Sequence, residues 1–186
     1  MLRRLVPADY RVVPWRNGGG TTTEIVMAPE GLSVSDPSAR FLFRVSIADV
    51  ASSGPFSRFA GYDRHIVVIA GEGMVLEGGP GGDILLARDT PRSFSGDADV
   101  GGRLLGGPVR DLNLMVDRER ALGGLEVRTL AAAETCDPGM GGVAIVHVLE
   151  GELEGASDGD TLVFDAPHVL APRAPTRLAV ARVTRR

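Results

Sequence analysis

Ile69-Ala70-Gly71-Glu72-Gly73 is a segment in which apolar residues run into a glycine turn, and it recurs eighty residues later as Leu149-Glu150-Gly151-Glu152-Leu153. The following segments correspond as well: residues 82–86 lead to Pro91 and residues 159–163 lead to Pro167, with one residue more in the first copy. Such a recurrence indicates two related units, each with three strands separated by a Gly-Glu turn and a Gly-Asp turn. Chance similarity between two hairpins is the alternative, because such turns are common.

The rest of the sequence predicts many short β-strands. Apolar stretches are separated by Gly, Pro and Asp clusters at intervals of about ten residues, which is typical of all-β proteins. Between residues 41 and 48 the alternation puts apolar side chains on one face and Arg44 and Ser46 on the other. Further strands are predicted at residues 66–70, 74–77, 84–88, 103–105, 111–116, 124–130, 143–149, 161–164 and 177–183. Helical candidates are short, such as residues 117–122, and a closed or double-sheet architecture is expected.

Each of the two units resembles the cupin repeat, in which an apolar strand runs into a glycine turn, as at residues 67–73 and 146–153. The resemblance implies an all-β fold with two cupin, jelly-roll-like β-barrel units packed as a compact bicupin. We predict a first unit with N-terminal strands over residues 1–120 and a second, smaller unit over residues 121–186. Strands can be exchanged between these units.

The His residues do not match the metal site of an ordinary cupin. That site uses two His spaced by one residue, a Glu, and another His on a later strand. Here the three His are His65, His147 and His168, no two closer than twenty-one residues, and residues 57–59 occupy the expected place of the His pair. Arg64 or His65 falls near the carboxylate position, where a cation would repel a metal. We predict a barrel without a metal and with a cavity suited to an anion.

The composition excludes several classes of protein. The chain has 186 residues, enough to bury a core, and all twenty basic residues are Arg, which excludes a Walker A loop and a Schiff-base Lys. Because twenty-four acids give a net charge of −4 and arginines are interspersed with them, nucleic acid is not an expected partner. No apolar window reaches membrane-spanning length, no signal-like start is present, and the lone Cys136 cannot form an internal disulfide. We expect a cytoplasmic protein without membrane contact.

The chain's only tryptophan, Trp15, precedes three consecutive glycines, Gly18, Gly19 and Gly20. Such a run contributes no packing, so it suits a backbone that takes positive φ or lies close to another group. One interpretation is a turn that closes a hairpin; the other is a loop that closes over a ligand. The neighbouring Trp15, Asn17 and Glu24 favour a ligand site.

Five segments in order resemble the HutD/Ves family of bicupins, and together they cover about half of the sequence. They comprise residues 14–25; Arg44, Val45, Ser46 and Ala48; Gly54 to Phe59, Gly61, Asp63 and Arg64; Phe94, Gly96 and Asp97; and Gly107, Pro108, Val109, Asp111, Leu112, Asn113 and Met115. Departures are mild: Ala60 replaces a usual proline and Arg16 stands where lysine is common. The resemblance implies a bicupin that binds a small metabolite such as formylglutamate and regulates histidine utilisation.

These segments supply the candidate site. We expect Arg44, Arg58 and Arg64 to hold a carboxylate, because guanidinium binds carboxylates in a bidentate manner. Trp15 and Phe56 would form an apolar wall, and neutral hydrogen bonds would come from side chains and from the glycine amides. The complete candidate set is Trp15, Asn17, Gly18, Gly19, Arg44, Ser46, Phe56, Ser57, Arg58, Arg64 and Asn113. Glu24, Asp63, Asp97 and Asp111 are expected to pair with arginines, since buried charges need partners.

Two other classes of function stay open. A metal-independent isomerase or hydrolase would use Glu24 or Asp111 as a general base if burial raised its pKa. A protein-binding scaffold with a vestigial pocket is the other. No cofactor motif is present, so we expect no cofactor, a small anionic metabolite as partner, and a possible homodimer.

Overall fold

The computed structural model describes residues 1–15, 18–32 and 40–186, and this part of the chain is almost entirely β-structure. Its strands are β1 Leu2–Leu5, β2 Arg11–Pro14, β3 Gly20–Ala28, β4 Phe43–Val50, β5 Gly54–Pro55, β6 Tyr62–Ala70, β7 Met74–Glu77, β8 Ile84–Leu86, β9 Arg92–Ser95, β10 Gly101–Leu104, β11 Val109–Asp117, β12 Ala121–Leu130, β13 Glu134–Cys136, β14 Gly142–Glu150, β15 Glu152–Leu153, β16 Ala156–Ser157, β17 Thr161–Phe164, β18 His168–Leu170 and β19 Thr176–Arg185. A short 3-10 helix covers Pro7–Asp9. The described residues include no helix long and apolar enough to cross a membrane.

The strands form two large antiparallel sheets, each belonging mainly to one repeat unit. A six-stranded sheet has the order β2-β3-β4-β11-β6-β9, and a four-stranded sheet, β5-β10-β7-β8, accompanies it. We call this pair the first barrel. The second barrel contains a five-stranded sheet, β1-β17-β14-β19-β12, with the small pairs β13-β18 and β15-β16. β1 lies within residues 1–120 but pairs with β17 of the second barrel. The predicted boundary at residue 120 therefore does not coincide with the division between the two large sheets.

The internal repeat is visible in the backbone geometry of both barrels. The turn glycines Gly71 and Gly151 have φ of 94° and 103°, and Gly82 and Gly159 have φ of 87° and 82°. The pairing of β11 with β6 skips one residue between Val68 and Ala70, and the pairing of β19 with β14 skips one between Val148 and Glu150. Equivalent bulges and equivalent turns indicate one supersecondary unit used twice.

The core is divided into separate clusters. The two large sheets pack back to back through apolar residues such as Val45, Leu112, Ile145 and Ala179. Inside the first barrel, one cluster contains Ile66, Val68, Met74, Leu76 and Leu86, and another contains Met27, Phe41, Tyr62 and Met115. Inside the second barrel lies a cluster that includes Val146, Leu162, Phe164, Leu178 and Val180.

The fold class predicted from sequence is confirmed, but one predicted helix is wrong and several strands have no sequence prediction. The predicted helix at residues 117–122 is wrong: β11 ends at Asp117, and Arg120 N donates to Asp117 O in the turn that starts β12. Three residues between two strands are too few for a helix, and the tight turn satisfies their backbone. The alternation of β3 is interrupted by a bulge between Glu24 and Val26, and this strand has no sequence prediction. The other strands without one are β1, β2, β5, β9, β13, β15, β16 and β18, all of two to four residues.

Candidate binding site in the first barrel

Polar side chains form a layer inside the first barrel, between its two apolar clusters. Arg44, Ser46, Arg64, Asp111 and Asn113 are buried. We call these five residues together with Glu24 the polar layer. Burial of so many polar groups costs free energy unless they bind one another or a ligand. The layer is therefore the strongest candidate for a functional site.

The alternation of the four central strands β3, β4, β11 and β6 places these side chains inside the barrel. On β4, Val45 and Ile47 pack between the two large sheets, so Arg44 and Ser46 point the other way. On β11, Leu112 and Leu114 do the same, and Asn113 faces the interior as expected from the sequence. Asn113 lies directly opposite Ser46 on β4, and Ser46 lies opposite Glu24 on β3.

Arg64 lies at the centre of the layer, between polar and aromatic partners. Its Nε and Nη2 donate to Asn113 Oδ1 at 3.3 and 3.2 Å, and Nη1 donates to the carbonyl of Ser57 at 3.2 Å. The guanidinium carbon is 5.4, 5.7 and 4.9 Å from the ring centroids of Phe56, Phe59 and Phe94. Burial lowers the pKa of Arg64 to about 10, with Asp111 opposing the shift and Arg44 adding to it. Arg64 therefore stays charged at neutral pH.

Arg44 and Glu24 form an ion pair beside Arg64. Arg44 Nε donates to Glu24 Oε2 at 2.9 Å, and the two side chains are 7% and 16% exposed. The pair confirms that Glu24 has an arginine partner. Glu24 is the more solvent-accessible of the two, so this side of the layer lies nearer to water.

Asp111 is the one carboxylate of the layer without an arginine partner. Its Oδ1 accepts a hydrogen bond from Asn113 Nδ2 at 3.2 Å, whereas the buried Oδ2 accepts none from the described residues. Burial raises the pKa of Asp111 to about 7 despite the Asn113 hydrogen bond and the nearby Arg64. The expectation that Asp111 pairs directly with an arginine is therefore wrong.

The charges of the polar layer favour an anion. Arg44 and Arg64 carry two positive charges, Glu24 carries one negative charge, and Asp111 is only partly ionised near neutral pH. A low-dielectric interior strengthens the interaction of the remaining positive charge with a carboxylate. Chemically, the layer can bind a small anion and offer it neutral hydrogen-bond partners.

A second hydrogen-bond network is centred on Arg118. It fixes the end of the loop at residues 56–61, which carries Phe56 and Phe59. Arg118 donates to Asp63 at 2.6 Å, to Asp97 at 2.7 Å and to Ser95 Oγ at 2.8 Å. Asp97 also accepts from the amide of Gly61 at 2.9 Å, and these bonds, the one from Arg118 foremost, lower the pKa of Asp97. The predicted arginine partners of Asp63 and Asp97 are confirmed. Arg118 itself, Phe59 and Phe94 were not recognised as supporting residues from the sequence.

The glycine run closes the hairpin between β2 and β3. Trp15 N donates to the carbonyl of Gly20 at 2.9 Å, and Gly18, with φ of 71°, donates to the carbonyl of Trp15 at 3.1 Å. A side chain at Gly20 would collide with the carbonyl of Asp49 and meet the Trp15 ring at 3.1 Å. The hairpin interpretation is thus confirmed, and Gly19 accepts from Ala51 N at 2.9 Å in the same turn. Asn17 lies outside the described residues.

The remaining candidates lie at the edge of the site. Trp15 and Phe56 both pack against the apolar cluster that contains Ile66 and Met74, as expected for an apolar wall. Trp15 Nε1 also donates to Thr22 Oγ1 at 2.8 Å. Ser57 and Arg58 are exposed, and Ser57 contributes its carbonyl to Arg64. Arg58 is therefore not brought into the buried layer with Arg44 and Arg64.

None of the His residues lies in the polar layer. His65 Nδ1 is 2.7 Å from Ser93 Oγ, and burial lowers its pKa. His147 Nδ1 is 2.9 Å from Thr161 Oγ1 in the second barrel, and burial lowers its pKa to about 4. Within residues 1–15, 18–32 and 40–186, no three His, Cys, Asp or Glu side chains are grouped so that they could hold a metal.

A surface depression of about 300 Å³ is lined by residues outside the polar layer. It is formed by Asp49, Val50, Ala51, Ala70, Gly71, Pro108, Val109 and Arg110. Asp49 and Arg110 bind each other there through two hydrogen bonds of 2.7 and 3.2 Å. Because its charges are already paired with each other, we regard the depression as a weaker candidate than the polar layer.

Comparison with known proteins places the chain in a family. Residues 7–183 match the family described as HutD. An uncharacterised 21.2 kDa protein of the hutC 3′ region in Pseudomonas putida is 45% identical over 121 residues, which are 64% of this chain and 60% of that protein's own length. The Protein Ves of Citrobacter koseri is 37% identical over 143 residues, 74% of this chain and 70% of its own.

Solved structures are similar over the whole chain. A conserved protein of unknown function from Pseudomonas aeruginosa PAO1 has a TM-score of 0.86, 31% identity and 99% coverage of both chains. The structure of HutD from Pseudomonas fluorescens SBW25 in a formate condition has a TM-score of 0.79, 30% identity and 100% coverage of both. A bacterial pirin from Escherichia coli in complex with nickel shares the fold, with a TM-score of 0.68 at 9% identity.

Proposed function

The chain belongs to the HutD family, and from this premise we propose that its first barrel binds a small carboxylate metabolite of the formylglutamate type and that binding modulates histidine utilisation. The observation that carries the proposal is the convergence of Arg44 and Arg64 on one buried polar layer, with less negative than positive charge. Guanidinium groups recognise carboxylates through paired hydrogen bonds.

Three further observations support a small ligand. The aromatic rings beside Arg64 provide an apolar wall, and Ser46 and Asn113 provide neutral polar groups, which is the usual composition of a metabolite site. The hutC region in the name of a relative suggests the histidine-utilisation context. The HutD structure from Pseudomonas fluorescens belongs to a formate condition, and formate is the smallest carboxylate.

Isothermal calorimetry with N-formyl-L-glutamate, formate, urocanate, glutamate and histidine tests the proposal. We expect N-formyl-L-glutamate to bind the native protein and Arg44→Lys to weaken it at least tenfold, because Lys keeps the charge but loses the planar fork. Arg103→Lys is the matched control, since Arg103 pairs with Glu77 on the surface and is 51% exposed. Absence of binding by every acid, or equal loss in both variants, would contradict the proposal.

The regulatory part of the proposal is tested separately in cells. A host that carries Arg44→Lys should induce its histidine-degrading enzymes to a different level after histidine addition than a host with the native protein. The Arg103→Lys host should respond as the native host does. Identical induction in all three would leave binding without a regulatory consequence and would contradict this part.

A metal-independent enzyme is the second candidate, and the raised pKa of Asp111 favours it. A carboxyl group that titrates near neutral pH can act as a general acid or base. Proton NMR of each bound acid with catalytic amounts of protein would reveal turnover, and Asp111→Asn should abolish it. A ligand that binds and stays unchanged would exclude this candidate.

A further inference from the structure

One arginine of the second barrel reaches across to the first barrel. Arg177 lies on β19, and its side chain is 18% exposed. Its Nη1 and Nη2 donate to the carbonyl of Ile69 on β6 at 3.3 and 3.4 Å, and Nη1 also donates to Asp89 Oδ1 at 2.7 Å. Ile69 and Asp89 both belong to the first barrel. We call Arg177, Ile69 and Asp89 the inter-barrel clamp.

The clamp holds β6 at its bulge. The pairing of β6 with β11 passes from Val68 to Ala70, so Ile69 is the inserted residue. The inserted residue of a bulge lies outside the regular ladder, and a buried carbonyl needs a donor from elsewhere. Ile69 is 5% exposed, and the guanidinium of Arg177 supplies donors to its carbonyl.

Asp89 holds the residue before the bulge. Its backbone N donates to the carbonyl of Val68 at 2.9 Å, while its carboxylate accepts from Arg177. Asp89 has a φ of 58°, in the left-handed region, and such backbone persists where the surrounding contacts fix it. Val68 lies directly opposite Asp111 of the polar layer. The clamp therefore fixes β6 at the point where this strand borders the polar layer.

The equivalent arginine of the first barrel forms a different contact. Arg110 on β11 and Arg177 on β19 each stand one residue before the register shift of their strand. Arg110 binds Asp49 of its own barrel and is 52% exposed, against 18% for Arg177. The arginine that crosses between the barrels therefore acts on the barrel that contains the polar layer.

We infer that Arg177 is a positioning residue for the polar layer, so that the apolar second barrel fixes the segment of β6 that closes the layer beside Asp111. This inference goes beyond the proposed function, because it holds whichever ligand the layer binds. Without Arg177 the bulge loses its donors, and Val68 can move away from Asp111 and admit water. The charges that act on Asp111 come from Arg64 on β6 and Asp49 on β4, and neither belongs to the clamp.

The test is the titration of the Asp111 carboxyl group by carbon-13 NMR, with its resonance assigned by its absence from Asp111→Asn. Arg177→Met keeps an apolar stem and removes the donors. We expect the midpoint of the titration to fall by about one pH unit or more, because water beside a buried carboxylate favours its charged form. Arg4→Met is the matched control and should keep the native midpoint, since Arg4 donates to Asp160 at 2.7 Å within the second barrel.

Asp89→Asn is a second variant, which decides the test if Arg177→Met does not fold. Asn tolerates left-handed backbone as Asp does, and the loss of one charge should lower the midpoint by less. A native midpoint in the clamp variant would overturn the inference, and so would an equal fall in Arg4→Met. A native midpoint near the ordinary 3.8 would overturn it too, because the layer would then be hydrated with the clamp in place. No ligand is used, so failure of the proposed function leaves this test intact.

Discussion

The interiors of the two barrels differ at equivalent positions of the same backbone. The bulges that follow Val68 and Val148 align the two barrels, so that β6 corresponds to β14 and β11 corresponds to β19. Asp111 and Asn113 lie opposite Val68 and Ile66 in the first barrel. In the second barrel the equivalent residues are Leu178 and Val180, which lie opposite Val148 and Val146. Arg64 on β6 corresponds to Ala144 on β14, because each precedes its bulge by the same number of residues. The three central polar residues of one barrel are therefore apolar in the other.

This difference separates the requirements of folding from those of function. The second barrel shows that the fold is satisfied by an interior of Leu, Val, Ala and Phe. The first barrel keeps buried charges that the same fold does not need, and natural proteins tend to break local packing rules at functional sites. The second barrel has the polar pairs Arg182–Glu126 and Arg128–Glu134, but these side chains are 28–45% exposed and lie nearer its rim.

The largest expected effect tests whether the stability of the first barrel depends on Arg64. Arg64→Ala introduces the residue of the second barrel and leaves Asn113 Oδ1 and the Ser57 carbonyl without their donor. We expect a loss of about 3–5 kcal/mol in the free energy of unfolding, measured by urea denaturation. Arg103→Ala on the surface should cost less than about 1 kcal/mol. Equal losses in the free energy of unfolding for Arg64→Ala and Arg103→Ala would contradict a structural role of Arg64 in the first barrel.

The next effect concerns the pH dependence that Asp111 gives to the first barrel. Its folded-state pKa is about 7 against an ordinary 3.8, so between these values the folded protein holds a proton that the unfolded chain has lost. Its contribution to stability is present below pH 4, falls as pH rises to 7 and is constant above. From pH 5 to pH 8, the native protein should lose roughly 2–3 kcal/mol relative to Asp111→Asn.

The measurement is urea denaturation of both proteins at several pH values, with Asp83→Asn as the control. The control should follow the native protein throughout this range, because Asp83 is exposed. A constant difference between native protein and Asp111→Asn would show that Asp111 is ionised throughout and that the polar layer carries less positive charge than we infer.

The smallest effect comes from placing one polar group in the second barrel. Val180→Thr has nearly the same shape and stands where the first barrel has Asn113, but its hydroxyl would lie in the apolar cluster. We expect a loss of about 1–2 kcal/mol by thermal or urea denaturation. Val12→Thr on the exposed edge strand β2 should change little. A neutral Val180→Thr would indicate that the second interior also accepts polar groups.

Much of the fold was predictable because its signals are local. The glycine turns at Gly71 and Gly151 reveal the repeat, and the alternation around Arg44 places that side chain correctly inside. Strand β3 was missed since its bulge between Glu24 and Val26 interrupts the alternation.

The site was predictable only in part, since its contacts join distant segments. Alternation identified Arg44, Ser46 and Asn113, but it could not show that Arg58 is exposed and that Arg118 binds Asp63 and Asp97. Nor could it predict that Asp111 lacks an arginine partner, because this depends on where Asn113 and Arg64 point in three dimensions.

Trp15, the only indole of the chain, is half-buried and packs against an apolar cluster of the first barrel. Its emission therefore reports the unfolding of one barrel, whereas far-ultraviolet circular dichroism records the strands of both. If the shared apolar interface couples the barrels into one cooperative unit, the two signals will follow one transition. If the barrels melt separately, the curves will diverge, and their order will reveal which interior is the more stable.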